Sequence, residues 1–171
     1  MASEAVRGAV DVGDGARLGT LTWPGRAGAP TVLAVHGITA NAWSWAVVAR
    51  HLASDATLVA VDLRGRGASS DAPPPFGMRR HADDVATVAA ELQIAPSVVA
   101  GHSMGTWVAL MCAERHPAMV TGLVLVDGGV SLPLPDDFDP DDLLDLTLGP
   151  ALARLRQVWA DVESYRAMWD A

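Results

Sequence analysis

Short apolar runs that alternate with helical patterns are the feature of this sequence that most restricts its fold. Each run is rich in β-branched residues and ends in a cluster that contains Gly, Asp or His; the runs cover residues 31–35, 57–61, 97–100 and 123–126. Such runs are typical of strands that are buried on both faces of a sheet. The segments between them have helical periodicity, over residues 43–52, 78–92 and 104–115. This alternation predicts an α/β fold with a mostly parallel sheet and helices on both faces.

The two ends of the chain depart from this alternation. Near the N-terminus, residues 7–12 and 18–23 flank Gly13-Asp14-Gly15, which predicts a β-hairpin. After residue 126, Asp139-Pro140 indicates a helix start, followed by a short helix, Gly149-Pro150 and an amphipathic helix. One side of that last helix would carry an apolar stripe, made of Leu152, Leu155, Trp159 and Val162. We therefore predict a core over residues 1–130 and a separate helical region over residues 131–171.

Composition excludes several classes of function. The chain has 171 residues, half of them apolar, which is the balance of one globular domain. No window is apolar enough for a membrane span and the N-terminus lacks a signal layout, so a cytoplasmic protein is expected. The single cysteine, Cys112, excludes a disulfide and multi-cysteine metal sites, and no metal or cofactor is expected. The absence of lysine excludes Schiff-base and P-loop chemistry, and a net charge of −8 argues against nucleic acid as a partner.

A Gly-His-Ser-Met-Gly motif lies where the strand at 97–100 meets the helix that begins at Met104. A sharp turn from strand to helix would place Ser103 at the top of the sheet, with a strained backbone and a positive φ. The segments on either side of such a turn approach too closely for a Cβ atom, which accounts for Gly101 and Gly105. The motif predicts a catalytic nucleophile at Ser103, favoured by the positive end of the helix dipole. The alternative is a serine that caps an ordinary helix.

A second motif also follows a predicted strand and would lie at the same edge of the sheet as Ser103. His36-Gly37-Ile38 follows the first buried strand directly, and a glycine there would let the backbone turn the Ile38 amide toward Ser103. Together with the Met104 amide, the Ile38 amide would form an oxyanion hole. The His36 side chain is interpreted as structural, bonded to nearby backbone.

The order of four motifs resembles the α/β-hydrolase family; they are Val-His-Gly at 35–37, Val-Asp-Leu-Arg-Gly-Arg-Gly at 61–67, Gly-His-Ser-Met-Gly at 101–105 and Leu-Val-Leu-Val-Asp-Gly-Gly at 123–129. The resemblance covers residues 5–130 and implies the fold of that family. It implies Ser103 as nucleophile, with Ile38 and Met104 as oxyanion donors, in the hydrolysis of carboxylic esters or related small acyl substrates through an acyl-enzyme. In similar proteins a helical lid follows the sixth strand, which fits residues 131–171.

The glycine-rich segment at 65–70 also follows a strand, as a dinucleotide-binding turn would. However, its last position is serine, and a proline-rich loop follows where that motif requires a helix. We therefore expect Asp62, Arg64 and Arg66 to stabilise this loop, as their equivalents do in similar hydrolases.

The sequence offers no obvious general base for such a reaction. In proteins that resemble this one, the base is a histidine after the last strand, but no histidine occurs after His116. Asp127 is a candidate for the triad acid, and the alternative is a turn-forming aspartate before Gly128-Gly129. We expect a form truncated two strands and a histidine short, with little activity of its own. The rival hypothesis is a ligand-binding protein, or an inert fragment, that keeps the elbow and lacks its base.

The strand at 123–126 would lie at an exposed edge of the predicted sheet. An apolar edge of this kind is a template for pairing with another chain. We therefore expect the 171-residue chain to self-associate through this edge.

Overall fold

The computed structural model describes residues 4–52, 54–94, 96–130, 148–151, 153–154 and 156–168. The chain divides into two compact units, Met1–Val130 and Ser131–Ala171. The predicted helix start at Asp139-Pro140, and the stripe positions Leu152 and Leu155, lie outside the described residues.

A β-hairpin opens the first unit, as predicted. Strand β1 (Val6–Asp11) pairs antiparallel with β2 (Arg17–Trp23). The connecting turn contains three successive residues with positive φ, Gly13, Asp14 and Gly15. Glycine and aspartate tolerate this conformation better than most residues, which explains why the turn forms here.

Four parallel strands follow the hairpin: β3 (Thr31–Val35), β4 (Thr57–Val61), β5 (Ser97–His102) and β6 (Val120–Val126). The strand order is β1-β2-β4-β3-β5-β6, and β2 joins β4 in the antiparallel direction. The predicted α/β class with a mostly parallel sheet is confirmed.

Helices pack on both faces of this sheet. They are α1 (Ala46–Leu52), preceded by a 3₁₀ turn (Ala42–Trp45), α2 (Met78–Glu91) and α3 (Met104–Arg115). Alternate residues of the strands face opposite sides. On one side Leu33 and Val59 pack in a cluster with residues of α2 and α3; on the other, Ala34 and Leu58 pack in a cluster with Trp45.

Strand β6 differs from the prediction of strands buried on both faces. It begins three residues earlier than predicted, at Val120, and lies at the end of the sheet. Val124 and Val126 retain 46% and 43% of their exposure. Among the described strands only β5 pairs with β6, so the exposed edge predicted at 123–126 is observed, whereas burial on both faces was wrong for this strand.

In the second unit, residues 148–151 are helical and α4 spans Val162–Ala167. The prediction of one continuous amphipathic helix was wrong, because residues 157–161 are not helical. The Asp161 carboxylate accepts a hydrogen bond from the Ser164 amide at 2.7 Å and thereby starts a new helix. Val162, which the stripe would have buried, is 65% exposed.

Candidate active site

The carboxyl ends of β3, β4 and β5 lie side by side at one edge of the sheet. Strand β3 lies between the other two, so the chain runs from the middle of the sheet to one side and then to the other. In open parallel sheets, ligands bind outside such a reversal of strand order. The loops after these three strands therefore define the candidate site.

Ser103 lies at the turn between β5 and α3 with φ 52° and ψ −119°, a conformation that non-glycine residues rarely adopt. A Cβ atom on Gly101 would collide with the Gly105 carbonyl, which is the close approach that the motif predicted. A Cβ atom on Gly105 would instead collide with the carbonyl of Val35 on β3. The second glycine is therefore required by the neighbouring strand as well as by the turn.

The loop after β3 packs directly against this elbow. A Cβ atom on Gly37 would lie 3.2 Å from both the His102 Nδ1 and the Ser103 Cβ atoms, so the two loops are in contact. Ile38, the next residue, is partly exposed at this edge. The structure therefore places the loop that carries Ile38 against the elbow that carries Ser103, although the two residues are more than sixty positions apart in the sequence.

The His36 ring is buried, and backbone groups occupy both of its nitrogens. Its Nδ1 donates to the Gly37 carbonyl at 2.7 Å, and its Nε2 accepts from the Leu63 amide at 3.1 Å. Burial lowers the pKa of His36, which favours the neutral ring that these two bonds require. His36 thus joins the loops after β3 and β4 and has no free nitrogen for catalysis.

The loop after β4 is held by a buried carboxylate. Asp62 accepts hydrogen bonds from the Ala42 amide at 2.7 Å and from the Ala68 amide at 2.9 Å. A Cβ atom on Gly67 would collide with this carboxylate, so the loop closes tightly around it. Asp62 therefore has the loop-stabilising contacts that were expected of it.

Arg64 lies in a buried network of charges behind that loop. Its guanidinium is fully buried and donates two hydrogen bonds of 2.9 Å to Asp84, one to each carboxylate oxygen. It also contacts Asp14 at 3.3 Å and the Pro73 carbonyl at 2.7 Å. The hydrogen bonds to Asp84 raise the pKa of Arg64, so the pair remains charged.

Arg66 turns toward the predicted oxyanion loop. Its Nε donates to the Ile38 carbonyl at 2.9 Å, its Nη1 donates to the Arg64 carbonyl at 3.3 Å, and its Nη2 lies 3.9 Å from the Met104 Sδ. Sequence reasoning gave Arg66 only a loop-stabilising role and missed these contacts. These contacts could have been suspected from the sequence, because Arg66 follows β4 and the carboxyl ends of β3 and β5 lie at the same edge of the sheet.

Asp127 follows β6 and adopts a positive φ of 55° before Gly128-Gly129. Its Oδ2 lies 3.7 Å from the His102 Nε2, and both side chains are at least partly exposed. The structure therefore brings Asp127 to the residue that precedes Ser103. The positive φ is also what the alternative, a turn-forming aspartate, requires.

Two further histidines lie away from the elbow. The His116 Nε2 lies 2.8 Å from the Asp83 carboxylate, at the opposite end of α3 from Ser103. His81 is buried within α2, and its pKa is lowered to about 4, chiefly by desolvation. Neither ring lies in the three loops that form the site.

Within the part of the chain that the structure describes, no group of three or more His, Cys, Asp or Glu side chains is placed to hold a metal ion. Cys112 is buried, and burial raises the pKa of its thiol to about 12. No helix among the described residues has the length and apolar character needed to cross a membrane.

Residues 30–162 match the family model of the alpha/beta hydrolase fold, which agrees with the strand order and the glycine-flanked elbow. The chain belongs to the α/β-hydrolase fold family. An alpha/beta hydrolase of known structure, from Novosphingobium aromaticivorans, superimposes with a TM-score of 0.68 at 28% identity. That match covers 74% of this chain and 45% of the other.

Two curated relatives extend the comparison. The lipase LipV of Mycobacterium tuberculosis is 33% identical over 148 residues, which cover 81% of this chain and 55% of LipV. N-formylmaleamate deformylase of Pseudomonas putida is 37% identical over 103 residues, covering 60% of this chain and 38% of that enzyme. This chain thus spans about half the length, or less, of the curated relatives that it matches.

Proposed function

We propose that Ser103 is the nucleophile of a serine hydrolase that acts on carboxylic esters or related acyl compounds. The observation that carries this proposal is the strained Ser103 backbone, at φ 52°, between two glycines that admit no side chain. Strain of this kind persists only where the surrounding structure enforces it, and it is concentrated at functional sites. The names of the two relatives, a lipase and a deformylase, support an acyl substrate.

In the proposed reaction, the Ser103 Oγ attacks the carbonyl carbon of the substrate. An Oγ–carbon bond forms, the carbonyl oxygen becomes an oxyanion, and the amides of Ile38 and Met104 stabilise it. The bond to the leaving alcohol then breaks, and the alcohol departs with the proton that Ser103 has lost. Water hydrolyses the acyl-enzyme in a second attack, which releases the carboxylic acid and restores the serine.

The proton transfers require a general base, and two of the described histidines are already engaged in other contacts. His36 has both nitrogens bonded to backbone, and His116 is bound to Asp83 at the far end of α3. We propose that the base is a histidine outside these residues, as the family resemblance implies. Asp127 is the candidate for its acidic partner, through its place at the end of β6.

Covalent labelling tests this assignment. The protein encoded by the complete reading frame is treated with a fluorophosphonate probe, and mass spectrometry locates the label. We expect stoichiometric labelling at Ser103 and none in Ser103→Ala. Ser44→Ala, which removes an exposed serine elsewhere, is the matched control and should label normally. Labelling that persists in Ser103→Ala would refute the assignment, and its absence from the wild-type protein would favour the ligand-binding alternative.

A further inference from the structure

Arg66 differs from the neighbouring arginines because it has no acidic partner among the residues that the structure describes. Arg64 and Arg80 both form ion pairs with Asp84 and Asp14. Arg66 forms none with any acid in the described part of the chain, although the sequence holds 20 acids and only 12 arginines. Its half-buried positive charge is therefore not compensated by these residues.

The loop after β4 contains an acid that could have neutralised Arg66, but this acid is engaged elsewhere. Asp62, four residues earlier, accepts hydrogen bonds from the amides of Ala42 and Ala68. Both of its carboxylate oxygens are used in this way. The loop thus directs its own carboxylate to backbone groups and leaves the Arg66 charge available.

The Arg66 guanidinium is also held in place. Its Nε and Nη1 donate to the carbonyls of Ile38 and Arg64, which fixes the plane of the group. One hydrogen on Nη1 and those on Nη2 remain without an oxygen acceptor among the described residues. An ordered arginine with free N–H groups can bind a carboxylate with little further loss of side-chain entropy.

A cavity of about 380 Å³ lies beside Arg66. It is lined by Ile38, Arg64, Gly65, Arg66 and Phe76. Ile38 belongs both to this cavity and to the proposed oxyanion hole. A ligand that reaches the Ile38 amide with its carbonyl oxygen therefore needs only a short spacer to place a second group in the cavity.

We infer that Arg66 binds a carboxylate on the acyl part of the substrate, an inference that rests on the proposed hydrolase function and names its substrate class. The substrate would be a half-ester or related acyl derivative of a short dicarboxylic acid, with its anionic end in the cavity. Burial lowers the pKa of Arg66 and reduces the screening of its charge by water, so an anion there is bound more strongly.

Equilibrium binding tests this inference without requiring turnover. The probes are 4-oxopentanoate, a ketone that carries a carboxylate and cannot be hydrolysed, and the neutral 4-oxopentanamide. We expect calorimetry to show that the wild-type protein binds the anion about 10 to 100 times more tightly, the range of a hydrogen-bonded charge pair. Arg66→Gln should bring this ratio close to one, and Arg66→Lys should retain part of it.

Arg50→Gln is the matched control, because it removes an equal charge from an exposed position on α1. It should leave the ratio unchanged, and circular dichroism should show that every variant is folded. A wild-type ratio near one overturns the inference without any variant, and so does an unchanged ratio in Arg66→Gln. Labelling of Ser103 is measured separately, so failure of the hydrolase assignment is distinguishable from failure of the carboxylate site.

Discussion

The loop after β4 and the elbow after β5 lie at the same edge of the sheet, on either side of β3, but they are stabilised differently. In the β4 loop, Asp62 and Arg64 are buried, and amides, a carbonyl and carboxylates match the charges of these two residues. At the elbow, Ser103 has an unfavourable backbone conformation, and the contacts that enforce it are made by glycines and backbone carbonyls. One loop stabilises the fold, whereas the other stores strain.

This difference indicates how the strained residue is maintained. His36 bonds to the Leu63 amide, and Arg66 bonds to the Ile38 carbonyl, so the β4 loop is joined to the loop that packs on the elbow. Strain of about 1–3 kcal/mol at a residue persists only when neighbouring structure offsets it. We therefore expect substitutions in the two regions to change stability in opposite directions.

The largest effect is expected from Asp84→Ala, which would leave the Arg64 guanidinium buried without its main partner. Asp84 is 1% exposed and accepts two hydrogen bonds from Arg64. Removing one member of a buried ion pair costs about 3–5 kcal/mol in the free energy of unfolding. Urea denaturation measures this loss directly.

Asp83→Ala is the control for this prediction, because Asp83 is the adjacent residue on α2 and pairs with Arg115 at the surface. Its side chain is 38% exposed, so solvent screens the pair and the loss should be at most about 1 kcal/mol. Equal losses in the two variants would show that the buried Arg64–Asp84 pair contributes no more to stability than the exposed Arg115–Asp83 pair.

A smaller loss of stability is expected when the pH is lowered, because His81 is buried in its neutral form. Its pKa is lowered to about 4 by desolvation and then by the Arg66 charge, whereas the unfolded value is 6.5. Between these values the unfolded chain binds more protons, so stability is complete above pH 6.5 and falls as the pH drops toward 4. From pH 7 to pH 5 we expect a loss on the order of 1–2 kcal/mol, allowing for partial solvent access.

His81→Leu should flatten this part of the stability profile, whereas His51→Leu, at an exposed position on α1, should leave it unchanged. Urea denaturation at half-unit pH intervals gives the two slopes. An unchanged slope in His81→Leu would assign the acid sensitivity to other groups.

The smallest effect is expected at the elbow and has the opposite sign. Ser103→Gly removes the side chain that makes φ 52° unfavourable, although glycine also loses more entropy on folding. The net result should be a stabilisation of about 1 kcal/mol, measured as a higher urea midpoint. Ser103→Ala keeps the Cβ atom and should not stabilise. A destabilised Ser103→Gly would contradict the view that the elbow stores strain.

The elbow could be predicted from the sequence because its determinants are local. Gly101, Ser103 and Gly105 fall within five residues, and a strand and a helix flank them. The loop after β3 could be placed at the same edge because parallel strands end at a common edge. Even so, the requirement for Gly105 is set partly by Val35, on a strand that the motif does not contain.

The charge network was not predictable, because its members are distant in the sequence. Arg64 meets Asp84 twenty residues later and Asp14 fifty residues earlier, and no local pattern links them. The contact between Arg66 and Ile38 spans 28 residues and depends on how two loops fold over the sheet edge. The apolar periodicity of the second unit also predicted one continuous helix. The Asp161 side chain instead caps a separate helix that begins at Val162.

The pairing of β3 with β5 has a consequence for the kinetics of folding. Val35 lies opposite Gly101, so this pairing closes a loop of more than sixty residues that contains β4 and α2. Contacts of such long range form slowly, because closing the loop costs chain entropy before any contact compensates it. The Ile38 and Ser103 loops meet only after that closure. Appearance of a reactive Ser103 during refolding would therefore report a late, global event in the formation of the sheet.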